Sequence, residues 1–441
     1  MTRHVRSWAL AALPAFAMKK SMKTGLFFAR AMALALVAGG IVASLPTEAM
    51  AANRTWTNAS TQQSGNRNKW GTTTATGSNW TTNTNPTSSD TAVFSGTNGI
   101  SSNVAIQSAN VPVGKITFSG TTQYNFTANA VALSGDGSTP NVGISNGASG
   151  ETQTFAGVSV NNTTVHANST AGGILRITSV DLQGNYFAVG GDATVLSLTG
   201  VAGSTYEAKS GSQSIDFANG NAVGTLKVSG GTVNSSGDST GTILDIQGGS
   251  YAGNATDATF LRTSITSGNL DLSGSSSLTL LDATGASYSQ GASGLTKMDV
   301  GYDGSDPLFS FVSTDPSAGF TLGGGLLLDG AGMTSDPLAI GLTWNLFQGV
   351  NFTSGSASPL NNASNFSSLV LADSASGSPY AGTFTQFGEE WISPSATDGT
   401  YLVFQAASGN LAVVPEPSTY AMALAGLACG GYAVFRRRRI R

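Results

Sequence analysis

The 441-residue sequence is 40% apolar, enough to build a substantial core, so disorder is not the default state. Only 10% of residues are charged, against roughly 25% in ordinary soluble domains, and Gly, Ser, Thr, Asn and Ala make up the difference, as in small-residue β architectures. Between Asn53 and Pro415 nine Lys/Arg stand against 22 Asp/Glu, a balance of −13 (9 − 22) that repels phosphate backbones and excludes nucleic acid as a partner. Cys429 is the sole cysteine, which excludes a disulfide framework and a cysteine zinc site within the chain.

In chain order, the first element is a signal segment over residues 1–51. Basic residues precede an apolar stretch from Ala31 to Leu45, and Ala49-Met50-Ala51 supplies the small-x-small pattern read by signal peptidase, with cleavage after Ala51. The apolar stretch is short for a span of about 20 residues, so an N-terminal signal helix that is removed fits better than a permanent anchor. Met18 and Met22 each open a basic region of their own and are alternative starts that leave the mature chain unchanged.

Residues 52–100 carry Trp56, Trp70 and Trp80 in a polar field, then Pro86, Asp90 and the pair Val93-Phe94. This order of W…NW…P…DTAVF resembles the opening of proteins with autotransporter-associated β-strand repeats, and the resemblance implies the start of a solenoid. The three indoles read as an N-terminal cap on a hydrophobic core; a sugar-stacking platform is the other reading.

Residues 101–298 are a succession of short alternating segments such as "GTLKVSGGTV", "GTILDIQGG" and "GNLDLSG", each stopped by Gly, Asn or Asp. Leu226 with Val228, Ile243 or Leu244 with Ile246, and Leu270 with Leu272 recur at roughly 18 to 26 residues, near the length of one solenoid coil. The expected fold is therefore all-β, with a parallel β-helix or solenoid body; an antiparallel sandwich has the same alternation and is the alternative. Residues 299–413 are richer in Phe and Trp and less repetitive, and are expected to form a C-terminal β-region that closes the solenoid or makes a small β-domain.

Residues 414–441 read "VPEPSTYAMALAGLACGGYAVFRRRRIR". Thr419 to Phe435 is uncharged, the lower limit for a transmembrane helix, and Arg436, Arg437, Arg438 and Arg439 form a cytoplasmic stop. Pro415-Glu416-Pro417-Ser418, an apolar helix and a terminal arginine cluster in that order resemble the PEP-CTERM sorting signal of Gram-negative bacteria. The resemblance implies an exosortase as processing partner, Pro415, Glu416, Pro417 and Ser418 as the recognised residues, a transient stay in the inner membrane, and an association with exopolysaccharide. Prolines keep the motif out of a helix interior, so Glu416 is expected in an extended segment where a protease can read it.

Chemistry-bearing clusters are scarce. His166 is the one histidine of the body and is read as a loop or strand-surface residue, because no nucleophile elbow, metal-binding helix motif or phosphate loop accompanies it. Glu389-Glu390 beside Trp391 are adjacent, and adjacent residues on a strand point to opposite faces, so they are read as surface charge. Asp299, Asp303 and Asp306 are loosely like a calcium loop and are read as a solvated turn. Asp181, Asp192, Asp216, Asp238, Asp245, Asp257 and Asp271 are spaced so that they could stack on one solenoid face, as in β-helical polysaccharide lyases, but no catalytic motif surrounds them. No cofactor is expected. The expected function is an exported structural or adhesive protein of the cell surface or extracellular matrix, associated with biofilm, and not an enzyme; the alternative is an envelope carbohydrate-binding protein or a polysaccharide lyase or hydrolase.

Overall fold

The computed structural model describes most of residues 52–416, together with 424–432 and 435–436. It leaves out 1–51, 57–68, 71–79, 81–84, 98–101, 302–310, 313–318, 348–365, 417–423, 433–434, 437–441 and several shorter breaks. The expected signal segment, with Ala49 and Ala51, therefore lies outside the described residues, as do Asp238, Asp303 and Asp306.

The body is a parallel β-solenoid of about 8 turns. Each strand pairs in parallel with the strand one coil further on, so Tyr206 faces Leu226, Leu226 faces Leu244 and Val228 faces Ile246. Among the described strands of this sheet, the one antiparallel pairing is between Ser368–Ala372 and Gly382–Thr383; an isolated antiparallel bridge also joins Trp56 and Trp80 at the front. Alternation along each strand puts one set of side chains inside, where stacking aligns them into columns. Val104, Phe126, Phe155, Ile177, Val195 and Ile215 make one such column, all essentially shielded from solvent. Within it the rings of Phe126 and Phe155 stack with centroids 4.7 Å apart and planes at 6°. The expected repeat is right for Leu226 and Leu244 but slips at the next coil. Leu244 faces Thr263, whereas Leu270 belongs to the column of Tyr251. A buried threonine in an otherwise apolar column hides the repeat from apolar matching.

Parallel pairing runs wider than residues 101–298. It begins where Asn53–Thr55 pairs Thr91–Phe94 and continues through Gly325–Gly332 to Ser368–Ala372. At the front, Trp56, Trp70 and Trp80 are buried rather than surface-facing; all three surround Phe94, and Trp80 stands edge-on to Phe94 and to the other two indoles. Asp90 ties this first coil together. Its carboxylate accepts from the Ala52 and Thr87 amides and the Thr87 hydroxyl, and it pairs with Arg54 Nε at 2.7 Å. Burial opposes ionisation there, but these donors outweigh it and hold the Asp90 carboxyl below the usual range.

Polar side chains also enter the interior. Gln153 and Gln213 occupy the same column three coils apart, and both are fully buried. Gln153 Oε1 accepts from the Tyr124 amide, and Gln213 accepts from the Tyr206 hydroxyl while donating to Val189 O. Gln290 does the same work further along, donating to Gly294 O and Gly325 O and accepting from Tyr288 and Thr296 hydroxyls. These amides hydrogen-bond main-chain groups of neighbouring coils from inside the solenoid, so their own polar atoms are satisfied where they are buried.

Outside, Asp136 closes a turn. Its carboxylate is opposed by partial burial, yet the Ser138 hydroxyl and amide, the Val142 amide and Lys115 together bring its pKa down to about 2. A folded pKa below the unfolded value of about 3.9 gives stability that is present above pH ~4 and is lost as pH falls toward 2. Asp136→Asn is therefore expected to melt below wild type at pH 7, with the gap closing as both are titrated to pH 2 in a thermal melt. A gap that persists at pH 2 would show that the carboxylate's charge is not the cause.

The second sheet is antiparallel and five-stranded, in the order Thr343–Asn345, Asn410–Pro415, Thr400–Gln405, Glu390–Ile392, Thr385–Phe387. Trp344 anchors it to the solenoid: the indole is fully buried and its Nε1 donates to Gly301 O at 3.0 Å. Trp391, Phe404 and Leu411 bury on the same sheet, and the Tyr380 hydroxyl is held between the Leu338 amide and the Thr400 hydroxyl.

Candidate functional site

The segment with the most specific sequence signal begins inside this second sheet. Asn410–Pro415 alternates outward and inward, with Leu411, Val413 and Pro415 buried. It is an interior strand: Thr400–Gln405 pairs along one edge from Gln405↔Asn410 to Thr400↔Pro415, and Thr343–Asn345 pairs along the other. The second edge continues past Thr343, because Gly341 N donates to Val413 O at 3.0 Å and Val413 N donates to Leu342 O at 2.9 Å.

Pro415 has no amide hydrogen to give, so it suits the last position of the strand. The next residue still belongs to the sheet, since Glu416 N donates to Gly399 O at 2.7 Å. Gly399 can present that carbonyl because it closes a tight turn with φ at +77°. Asp398 fixes the turn by accepting from the Thr400 amide and hydroxyl at 3.0 and 2.6 Å. The sequence signal for this clasp was the Asp-Gly of "SATDGTYLV", which reads as a turn but does not say what the turn holds. Pro417 and Ser418 lie outside the described residues, as do Arg437, Arg438 and Arg439.

Beyond this clasp, residues 424–432 are helical and exposed, and so are residues 435 and 436, which include Arg436. No helix of the described residues is long and apolar enough to cross a membrane. Of the expected span Thr419–Phe435, residues 424–432 and 435 are described; they are helical and carry the exposed apolar side chains Leu424, Leu427, Tyr432 and Phe435, and the rest of the span lies outside the described residues.

The other candidates fall apart in space. His166 lies half-buried on Thr164–Ser169 with the Tyr186 ring 6.1 Å away, and burial and Lys209 lower its pKa against the opposing pull of Glu207. Glu389 and Glu390 do line one shallow pocket with Gln405 and Ser408. The expectation of opposite faces fails because Glu389 is in the turn before the strand Glu390–Ile392, where alternation does not apply. Trp391 is buried on the far side of that strand and offers no exposed ring. Asp192, Asp245 and Asp271 face Ile174, Lys227 and Lys297 respectively, in three separate ladders, so they do not form one acidic face. Asp271 and Asp329 instead flank Lys297 at 3.9 and 3.1 Å. No group of three metal-ligating side chains occurs among the described residues.

One outward ladder does converge on a groove. Asn103, Asn125, Thr154 and Arg176 stack in register, and with Thr152 and Thr178 they line a polar cleft of about 580 Å³.

Residues 413–439 match the family model described as the PEP-CTERM protein-sorting motif. The chain thus carries this motif, and its first two characteristic residues are the clasped Pro415 and Glu416. No curated protein matches the chain, and no solved structure does. The likeness of the opening segment to autotransporter-associated repeats therefore rests on the residues quoted for it alone.

Proposed function

We propose that this chain, exported and sorted by an exosortase through its C-terminal motif, works as a structural or adhesive element of the cell surface or extracellular matrix. One observation carries the reading: the sorting motif is continuous with a sheet that is bolted to the end of a long solenoid. Sorting such a chain delivers a rigid rod with one end fixed. Its outward ladders of Asn, Ser and Thr offer amides and hydroxyls at the spacing of successive strands, about 4.8 Å, which suits repeated weak contacts with a hydroxyl-rich polymer such as exopolysaccharide. In this reading the inner membrane is a stop on the route, the body performs no catalysis, and it needs no cofactor.

The cleft around Arg176 favours one second reading, a carbohydrate-binding protein of the envelope, since convergent amide, hydroxyl and guanidinium groups are what a glycan needs. Deleting the gene is expected to change floc or biofilm texture and to leave exopolysaccharide chain length unchanged, measured by microscopy and size-exclusion chromatography. Shortened or lengthened polymer would sink the non-catalytic reading. Millimolar oligosaccharide binding by the purified protein, abolished in Arg176→Ala, would favour the second.

A further inference from the structure

We infer that the processed protein keeps Pro415 and Glu416, so that the bond broken by the sorting enzyme lies on the C-terminal side of Glu416. This rests on the sorting reading above and adds to it where the folded body must end. Peptide-cleaving enzymes bind several residues on each side of the broken bond in extended form, with the backbone groups free to pair with the enzyme. From Asn410 to Glu416 those groups are already committed. Leu411, Val413 and Pro415 are buried in the sheet, Val413 is bonded through both its amide and its carbonyl to the 341–342 edge, and Glu416 N is bonded to Gly399 O. A cut before Glu416 requires the strand to leave the middle of the sheet, which separates Thr343–Asn345 from the other three strands. A cut far enough past Glu416 that the enzyme's own contacts begin beyond that residue leaves every one of these bonds in place.

With water as the acyl acceptor, the step is a hydrolysis. The peptide C–N bond breaks, the hydroxyl of a water joins the acyl carbon to leave a new carboxylate on the body, and the proton goes to the departing amine. The clasp then serves as a stop: the enzyme reads the motif only as far back as the sheet lets it. Pro415 and Glu416 are thereby the last residues that the sheet holds.

Two measurements test this on the full chain. The first is intact-mass and C-terminal peptide mass spectrometry of the protein recovered from cells that contain the sorting enzyme. The expected C-terminus is Glu416 or a later residue. A wild-type terminus at Pro415 or earlier overturns the inference while leaving sorting intact. A chain ending at Arg441 in every fraction overturns the sorting reading, and the inference with it. The second is hydrogen exchange on the purified unprocessed chain, where the Glu416 amide is expected to exchange at least tenfold more slowly than in a free peptide, together with that of Val413. Free-peptide exchange at Glu416 would remove the clasp and overturn the inference. Val413→Asp, which drives a charge into the buried face, is expected to speed exchange across 410–416 and to add termini upstream of Glu416; termini unchanged despite that faster exchange would overturn it.

Discussion

Gly211→Val is expected to destabilise the solenoid by about 3–5 kcal/mol, the sum of a disfavoured backbone conformation and an overpacked corner. Gly211 has φ at +76°, where a β-branched residue is strained before any neighbour is considered. The space is also taken. A Cβ at 211 would lie 2.6 Å from Gly191 O and 2.8 Å from Asp192 N, both backbone atoms of the preceding coil that cannot rotate aside. Gly191 and Gly231 are in the same condition against Ser169 and Gly211, so one corner of the solenoid is a column of glycines in contact through their backbones. Gly172 supplies the control. It shares a positive φ of +73° but has nothing within 4 Å, so Gly172→Ala should cost only the backbone term, about 1–2 kcal/mol. Because each coil touches only its neighbours, the damage should be local. Hydrogen exchange should speed in the strands that flank residues 191, 211 and 231 and change little near Phe126. Equal losses for the two variants would show that the close approach contributes nothing.

The strand-and-turn texture of the body was legible because alternation reports directly on which face is buried, and Gly, Asn and Asp mark corners that need unusual backbone angles. The parallel pairing was legible only through the near-constant spacing of Leu226 and Leu244. What could not be read was where that spacing is broken by polar residues. Thr263 stands in the column of Leu226 and Leu244, and Gln153 and Gln213 stand in the column of Leu175 and Ala193. A buried glutamine looks like a surface residue in sequence, since its burial is stabilising only when main-chain carbonyls and amides meet it, and those come from chain 24 to 35 residues away, at Val189 for Gln213 and Gly325 for Gln290. The extents of the solenoid were hidden for a related reason. Aromatic residues at either end changed the texture, yet Trp70 pairs Ile106 and Leu326 pairs Leu369 in the same parallel manner as the middle coils.

The sorting motif was legible as an address, from its residues and their order. Its attachment was not, because hydrogen bonds from Glu416 to Gly399 and from Val413 to the 341–342 edge join segments that the sequence places 17 (416 − 399) and about 71 residues apart. The same limit applies to Trp344. In sequence it is one of several aromatic residues in "LTWNLF"; in the fold it faces Leu411 across the sheet and reaches Gly301, at the end of the solenoid strand Ser287–Gly301.

Trp344→Ala is accordingly expected to cost about 3–5 kcal/mol, the range for deleting a fully buried aromatic ring, with its effect concentrated on the sorting strand. The indole contributes in two ways that substitutions can separate. Its ring is fully buried beside the sheet, and its N–H donates to Gly301 O, a part-buried hydrogen bond that the variant would lose. Trp344→Phe keeps most of the ring and loses the donor, so it should cost about 1–3 kcal/mol. In Trp344→Ala the pairing Trp344↔Leu411 loses its larger partner, and the edge that holds Asn410–Pro415 on one side is loosened while the Thr400–Gln405 edge remains. Exchange at Val413 and Glu416 should then rise at least tenfold, with coils around Leu226 unaffected, and sorted protein should show a spread of C-termini where wild type shows one. If Trp344→Ala speeds exchange in the solenoid coils as much as in the sheet, the two parts share one cooperative unit, and the clasp at Glu416 is stabilised by the whole rod rather than by its own sheet.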